Sequence, residues 1–232
     1  MRDSDLDVIR ALPLFAEMNL ANFDQLMQNA YFQRFPPHVQ LITEGDPADF
    51  LYIVTEGAVE LFSQANGRET TMAIVTPVSG FILAATLKDV VCLMSARTSV
   101  KSCLLLIPSA AIRAMFLRDP AFARSMVVEL ATAYRSMVKA LKEQKLRSSV
   151  ERLANYLLRQ RREHGDASGF DLDIDKRTLA ALLGMTPENL SRAFAALKAQ
   201  GVQVEGRKIR LTAPATLQAF AAPTPLIDDR DS

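Results

Sequence analysis

The sequence predicts an α+β chain built as an N-terminal antiparallel β-roll, a long helix and a C-terminal winged helix-turn-helix. Three observations predict it. Residues 39–107 hold short β-type runs separated by Gly and Pro, residues 121–145 contain neither Gly nor Pro, and Thr178 to Gly201 reads as two short apolar-periodic helices pinched at Gly184.

Taken in order, Asp5 to Ala30 reads as short helices around Leu12-Pro13-Leu14-Phe15 and Phe23 to Met27. After Pro36-Pro37 the strands are 39–43, 51–54, 58–62, 71–75, 97–100 and 103–107, with Gly45, Gly57, Asn66-Gly67 and Gly80 as turn signals between them. Strands at near-regular spacing with an Asn-Gly hairpin indicate a small antiparallel roll or barrel. From Ser109 the pattern is helical, and Met126, Leu130, Ala133, Met137 and Leu141 recur in steps of four, three, four and four. That spacing is close to the seam of a two-stranded coiled coil, and Arg135, Lys139 and Lys142 flank it with charge. The stripe therefore predicts a homodimer, the alternative being that it packs on its own roll. A hinge at Leu146-Arg147 precedes a helix from Ser149 through Arg159, a loop 165–169, a short strand 170–174, and a frayed tail 223–232. The expected domains are 1–119, 120–146 and 147–232.

Thr186 is a good N-cap and Pro187 suits the first helical position, so a new helix begins there. Leu190, Phe194 and Leu197 form its inward stripe, and Glu188, Ser191 and Arg192 lie opposite, near its N-terminus. A reading helix meets base edges with such residues: Arg donates two bonds to guanine O6 and N7, Glu accepts from cytosine N4, and Ser touches most edges. The following run, Val202 to Leu211, alternates apolar and polar residues about a Glu-Gly turn and makes the wing. Its Arg207, Lys208 and Arg210, with Thr186 at the cap, are the expected phosphate contacts, which position a protein without carrying sequence information. Double-stranded DNA is the predicted partner.

Charge supports that division of labour. The net charge is +1, yet residues 1–108 carry seven Lys/Arg against twelve Asp/Glu, while residues 109–232 carry twenty against fourteen. The basic half is the half with the helix-turn-helix, as expected if one domain meets a polyanion. With 49% hydrophobic residues, no apolar run near the length of a membrane span and no signal-peptide pattern, the expected location is the cytoplasm. Cys92 and Cys103 cannot make a four-thiolate metal or iron–sulfur site within one chain, and with His38 and His164 as the two histidines a mononuclear protein-only metal site is not expected. The two cysteines read as buried small hydrophobes, with a disulfide as the alternative. No nucleophile–base pair or phosphate-binding Gly loop is visible, so the chain reads as a non-enzyme.

The order of roll, long helix and winged helix-turn-helix resembles the CRP/FNR superfamily of bacterial transcription regulators over nearly the whole length. The run from Glu44-Gly45-Asp46 through Tyr52-Ile53-Val54 to Glu56-Gly57, and the run Thr186 to Arg192, carry the likeness. Glu-x-x-Ser-Arg looks like the FNR branch, because Pro187 stands where the CRP branch usually has Arg, and the overall look is similar to the NnrR and FixK regulators of denitrification and microaerobic genes. The resemblance implies a cyclic-nucleotide-binding-like jelly roll, a homodimer, and an activator that contacts RNA polymerase. Its implied site is TTG, a spacer of about eight base pairs, then CAA. Glu188 and Arg192 would read C·G and G·C, and Ser191 a thymine.

The sensor departs from the family pattern. Cyclic-AMP-binding members carry Glu and Arg in the segment after Gly80, whereas here it runs Phe81-Ile-Leu-Ala-Ala85 and Met94 precedes Ser95. That argues against a cyclic nucleotide, with Arg97 as its remaining cation. The absence of Cys before residue 92 excludes an FNR-type iron–sulfur cluster. A haem that binds nitric oxide or carbon monoxide remains an alternative, with His38 as the candidate axial ligand, although a His beside prolines ordinarily sits in a surface turn. No cofactor is otherwise evident, and the apolar runs Phe81 to Ala85 and Val90 to Met94, which would line the roll where family members put their effector, could equally fill that pocket with side chains.

Overall fold

The computed structural model describes residues 3–165 and 168–229 of the 232-residue chain. It comprises two compact units, 1–133 and 134–232, whose boundary falls inside the long helix. The sequence-predicted loop 165–169 and tail 223–232 therefore lie partly outside the described residues.

The first unit opens with α1 (Asp3–Arg10), α2 (Pro13–Ala16) and α3 (Leu20–Gln28). Pro13 starts α2, and the Asn19 side chain accepts from the amides of Ala21 and Asn22 to cap α3. The roll follows as β1 (Tyr31–Phe35), β2 (Gln40–Ile42), β3 (Phe50–Glu56), β4 (Val59–Ala65), β5 (Arg68–Val75) and β6 (Ser79–Phe81), then α4 (Leu83–Lys88), β7 (Ser95–Thr98) and β8 (Ser102–Pro108). Two antiparallel sheets form, in the orders β1-β8-β3-β6 and β2-β7-β4-β5. Between β4 and β5, Ala65 pairs with Arg68, and Asn66 and Gly67 both take positive φ (52° and 72°), as a two-residue hairpin turn requires.

Alternation along β3 explains where the core sits. Tyr52 and Val54 join Leu61, Phe81, Cys92 and Leu104 in a cluster within the roll, whereas Leu51 and Ile53 join Leu105 and Ile107 beneath the helices, against Phe15, Phe23 and Phe122. With both faces covered, β3 and β8 read as continuous apolar runs rather than alternating ones. Gly57 joins β3 to β4 at φ +87°, where a Cβ would lie 2.5 Å from the Lys101 carbonyl oxygen. Past α5 (Ser109–Arg118) comes α6 (Pro120–Leu146). Asp119 caps it by accepting from the amides of Ala121 and Phe122, and its other oxygen accepts from the Asn19 amide and the Asn22 side chain. Burial alone would raise the Asp119 carboxyl, but these bonds hold it below the usual carboxylate range.

The second unit holds the distal part of α6, then α7 (Ser149–Glu163), β9 (Gly169–Asp171), α8 (Lys176–Leu182), α9 (Pro187–Leu197), β10 (Val202–Glu205), β11 (Lys208–Leu211), α10 (Pro214–Ala221) and α11 (Pro225–Asp228). Ser148 and Glu151 form a reciprocal capping box that starts α7 three residues after α6 ends. One cluster, including Leu153, Leu157, Leu190, Phe194, Ile209 and Leu217, joins α7, α9, the wing and α10.

Two sequence expectations are corrected here. The tail expected to fray instead turns into α11 at Pro225, and Asp228 is buried. Met126, expected on the seam, is fully buried in the helix-side cluster of its own roll. The exposed stripe of α6 begins one residue later, with Val127, Tyr134, Met137 and Leu141 exposed and Leu130 partly so. Those positions recur in steps of three, four, three and four, a strict heptad.

Candidate nucleic-acid interface

Asp175 caps α8 by accepting from the amides of Arg177 and Thr178, and these bonds, the Thr178 amide first, hold its carboxyl below the usual range against the effect of burial. The chain reverses through Gly184 at φ +62°, a left-handed conformation that favours Gly. Thr186 then caps α9, its hydroxyl oxygen accepting from the Asn189 amide at 3.2 Å, with Pro187 in the first turn. Arg152 of α7 fixes the turn from beneath, donating through Nε to the Leu183 carbonyl at 2.9 Å.

Leu190, Ala193, Phe194 and Leu197 are buried, so α9 is held along one stripe and the opposite stripe, with Glu188, Ser191 and Arg192, is exposed. The structure thus brings the three sequence-predicted base-reading residues onto one free surface. Backbone and Thr186 hydrogen bonds, and then the nearby Arg192 charge, hold the Glu188 carboxyl below the usual range. As an acceptor in the first turn it also suits the positive end of the helix. Ser191 donates its hydroxyl hydrogen to the Pro187 carbonyl at 3.0 Å, which leaves its lone pairs and methylene outward.

The cap makes a modest stability prediction. Thr186→Ala should lower unfolding free energy by about 1 kcal/mol, read as a shift of the urea midpoint at unchanged slope. An unmoved midpoint would show that the Thr186 bond contributes nothing.

The wing pairs Val202 with Leu211 and Glu205 with Lys208, and places Lys208 and Arg210 on the exposed side between buried Ile209 and Leu211. Arg207 differs from expectation: its Nε and Nη2 both donate to the Leu172 carbonyl, so the guanidinium braces the wing against the segment after β9. Local alternation could not reveal a carbonyl acceptor 35 residues away. Conversely, sequence reasoning passed over Lys176 and Arg177, two exposed cations in the first turn of α8. The first helix of a helix-turn-helix crosses the DNA backbone, so the cap Asp175 was the available signal for them.

The roll offers a cavity of about 210 Å³ lined by residues including Asp46, Asp49, Tyr52, Ile82 and Cys92. Burial, then the charges of Asp46 and Asp49, push the Cys92 thiol up, which disfavours a thiolate. Arg97 is engaged elsewhere. It pairs with Glu60 and Glu69, each at 2.8 Å, and stacks over Phe62. Ser95 accepts from the Glu44 amide at 2.9 Å. His38 sits exposed in a turn at φ +63° and is not among the residues lining this cavity. Among the described residues, no group of three His, Cys, Asp or Glu is placed to hold a metal, and no helix is long and apolar enough to cross a membrane.

Comparison with known proteins agrees with this architecture. Residues 151–220 match the Crp-like helix-turn-helix domain, and residues 32–119 match the cyclic nucleotide-binding domain. No curated protein matches the chain. Among solved structures, a Silicibacter pomeroyi DSS-3 regulatory protein named for cAMP binding is 27% identical, with 96% of this chain and 100% of that one covered, at a TM-score of 0.62. FixK2 of Bradyrhizobium japonicum is 23% identical over 84% of this chain and 98% of that one, at a TM-score of 0.72. The Thermus thermophilus catabolite activator protein is 24% identical over 91% and 99%, at 0.50.

Proposed function

We propose, from the premise that this chain is a DNA-binding transcription regulator of the CRP/FNR type, that it works as a homodimer reading an FNR-type palindrome. The observation that carries this reading is the free face of α9, where Glu188, Ser191 and Arg192 stand above a fully buried stripe. Arg192 takes guanine O6 and N7, Glu188 accepts from cytosine N4, and Ser191, its hydrogen turned to the backbone, meets the thymine methyl. Thr186, Lys208 and Arg210, joined by Arg177, hold phosphates. The α6 stripe of Leu130, Tyr134, Met137 and Leu141 supplies the two-fold axis. On the sequence resemblance, we extend the reading to an activator that contacts RNA polymerase at denitrification or low-oxygen promoters.

The roll supports a reading without a cyclic nucleotide. The 210 Å³ cavity presents Asp46 and Asp49 and no cation, and Arg97 is committed to two carboxylates. A phosphate brought there would meet like charge without a partner. In this the chain departs from what the name of the Silicibacter pomeroyi protein says of that neighbour.

Fluorescence anisotropy on a duplex with TTG, an eight-base-pair spacer and CAA, and on a scrambled duplex at the same salt, tests the reading. Without added effector, the palindrome should bind about 1,000-fold or more tighter than the scramble, as specific sites do. Equal affinity for the two would overturn the half-site assignment.

A further inference from the structure

The Asp228 side chain ties the C-terminal segment into the second unit. In α11 the Thr224 amide donates to Asp228 Oδ2 at 2.7 Å and the Asp228 amide returns to the Thr224 carbonyl, so the turn closes on itself and aims the carboxylate inward. Arg147, in the link between α6 and α7, meets that carboxylate with two parallel bonds, Nη1 to Oδ1 at 2.8 Å and Nη2 to Oδ2 at 2.5 Å. Arg159 of α7 adds Nη1 to Oδ1 at 3.3 Å, and Glu143 of α6 accepts from both guanidinium groups. The Asp228 and Arg147 side chains are 5% and 7% exposed. Lys139 and Lys142 of α6 donate to the Asp229 and Leu226 carbonyls.

Two cations and two carboxylates, drawn from α6, the link, α7 and α11, therefore close one charge-balanced cluster around the turn where the long helix becomes the DNA-binding domain. Burial alone would raise the Asp228 carboxyl, but the Arg147 bonds, the Thr224 amide and both positive charges hold it below the usual range, so it stays ionised. A buried pair of this kind adds little net stability, yet its bidentate geometry admits one arrangement, and removing one member leaves an uncompensated charge.

We propose that Asp228 is a positioning residue: it locks the angle between the distal part of α6 and α7, and through the α7–α9 core it sets where each reading helix stands relative to the dimer axis. This rests on the reading that α6 pairs two copies and α9 reads DNA. Each added base pair rotates a half-site by about a tenth of a turn, so a locked angle selects one spacing and a loose one accepts several.

The test uses the full chain and duplexes with spacers of seven, eight and nine base pairs. The unsubstituted protein should favour one spacing by about tenfold or more, on the scale of one wrong base pair. Asp228→Asn should reduce that preference to within about threefold while guanine discrimination inside each half-site is unchanged, and Asp228→Glu should recover part of it. An Asp228→Asn protein that keeps the full spacing preference would overturn the lock. Hydrogen exchange at the Arg147 and Arg152 amides gives a readout free of DNA, and it should rise about tenfold in Asp228→Asn. If the unsubstituted protein binds no palindrome, the DNA reading fails, and exchange still decides the lock: unchanged protection overturns it. A chain ended at Ala222, which removes α11 and leaves the main core cluster intact, repeats both measurements should Asp228→Asn not fold.

Discussion

Arg192→Ala should lose about 1–3 kcal/mol per half-site, so about 2–6 kcal/mol on the palindromic duplex that two copies read, roughly a 30- to 20,000-fold fall in affinity, and should relax the choice of base opposite it. The size follows from geometry. Arg192 lies on the exposed stripe of a helix whose other stripe is buried, so its guanidinium stands on the open surface beside Glu188. A guanidinium that donates two bonds to guanine O6 and N7 leaves both acceptors unpaired when it is removed, whereas a phosphate contact costs the same on any sequence. The discriminating measurement is therefore a ratio. Anisotropy with the cognate duplex and with duplexes substituted at the guanine should show the protein losing both affinity and preference. Equal losses on cognate and scrambled DNA would place Arg192 on the backbone and remove the base assignment. Glu188 gives a sharper companion, because its carboxyl is held below the usual range and stays an acceptor through neutral pH.

Much of this was legible because the decisive features are local. The Asn66-Gly67 turn, the Thr186-Pro187 restart and the Leu190, Phe194, Leu197 stripe each need only near neighbours, and each stands where the residues put it. Strands β1 and β6 were not read. β1 is an edge strand of mostly exposed residues, with Gln33 and Arg34 inside it, and β6 is the three residues Ser79-Gly80-Phe81, ordered by pairing with Tyr52 to Val54. Neither carries a periodic signal of its own. The tail was misread for a similar reason: Pro223, Pro225 and the adjacent acids look like a chain end, and the partners of Asp228 lie 69 and 81 residues earlier. The same holds for Arg207, whose alternation points outward while a distant carbonyl captures it. The site fared better than its bracing, since base-reading residues sit on a surface defined by one helix, and the groups that aim that helix come from the whole unit.

Met137→Lys should convert the proposed dimer to monomers and weaken binding to the proposed palindrome by about 100- to 10,000-fold, the advantage that linking two half-site readers confers. The stripe Val127, Leu130, Tyr134, Met137 and Leu141 keeps a strict heptad along α6, and Met137 is 70% exposed within its own chain, so its surface is free for a second copy. In a two-fold pair each such residue meets its equivalent, so one substitution acts twice. Losing the burial of two Met side chains costs about 3–6 kcal/mol, before any repulsion between two ammonium groups placed near the axis. The burial of Met126 in the interior of the roll matters here, because the seam then starts at Val127 and takes in Tyr134 while Leu130, Met137 and Leu141 stay on it, and so predicts which positions tolerate charge. Thr132 lies on the outer face of the same helix, and Thr132→Lys should leave the dimer and its DNA affinity unchanged. Sedimentation velocity on the two variants separates the outcomes. Monomers with Lys at 137 and dimers with Lys at 132 place the axis on this stripe, while a dimer that survives Met137→Lys puts it elsewhere and leaves the α6 stripe without its partner.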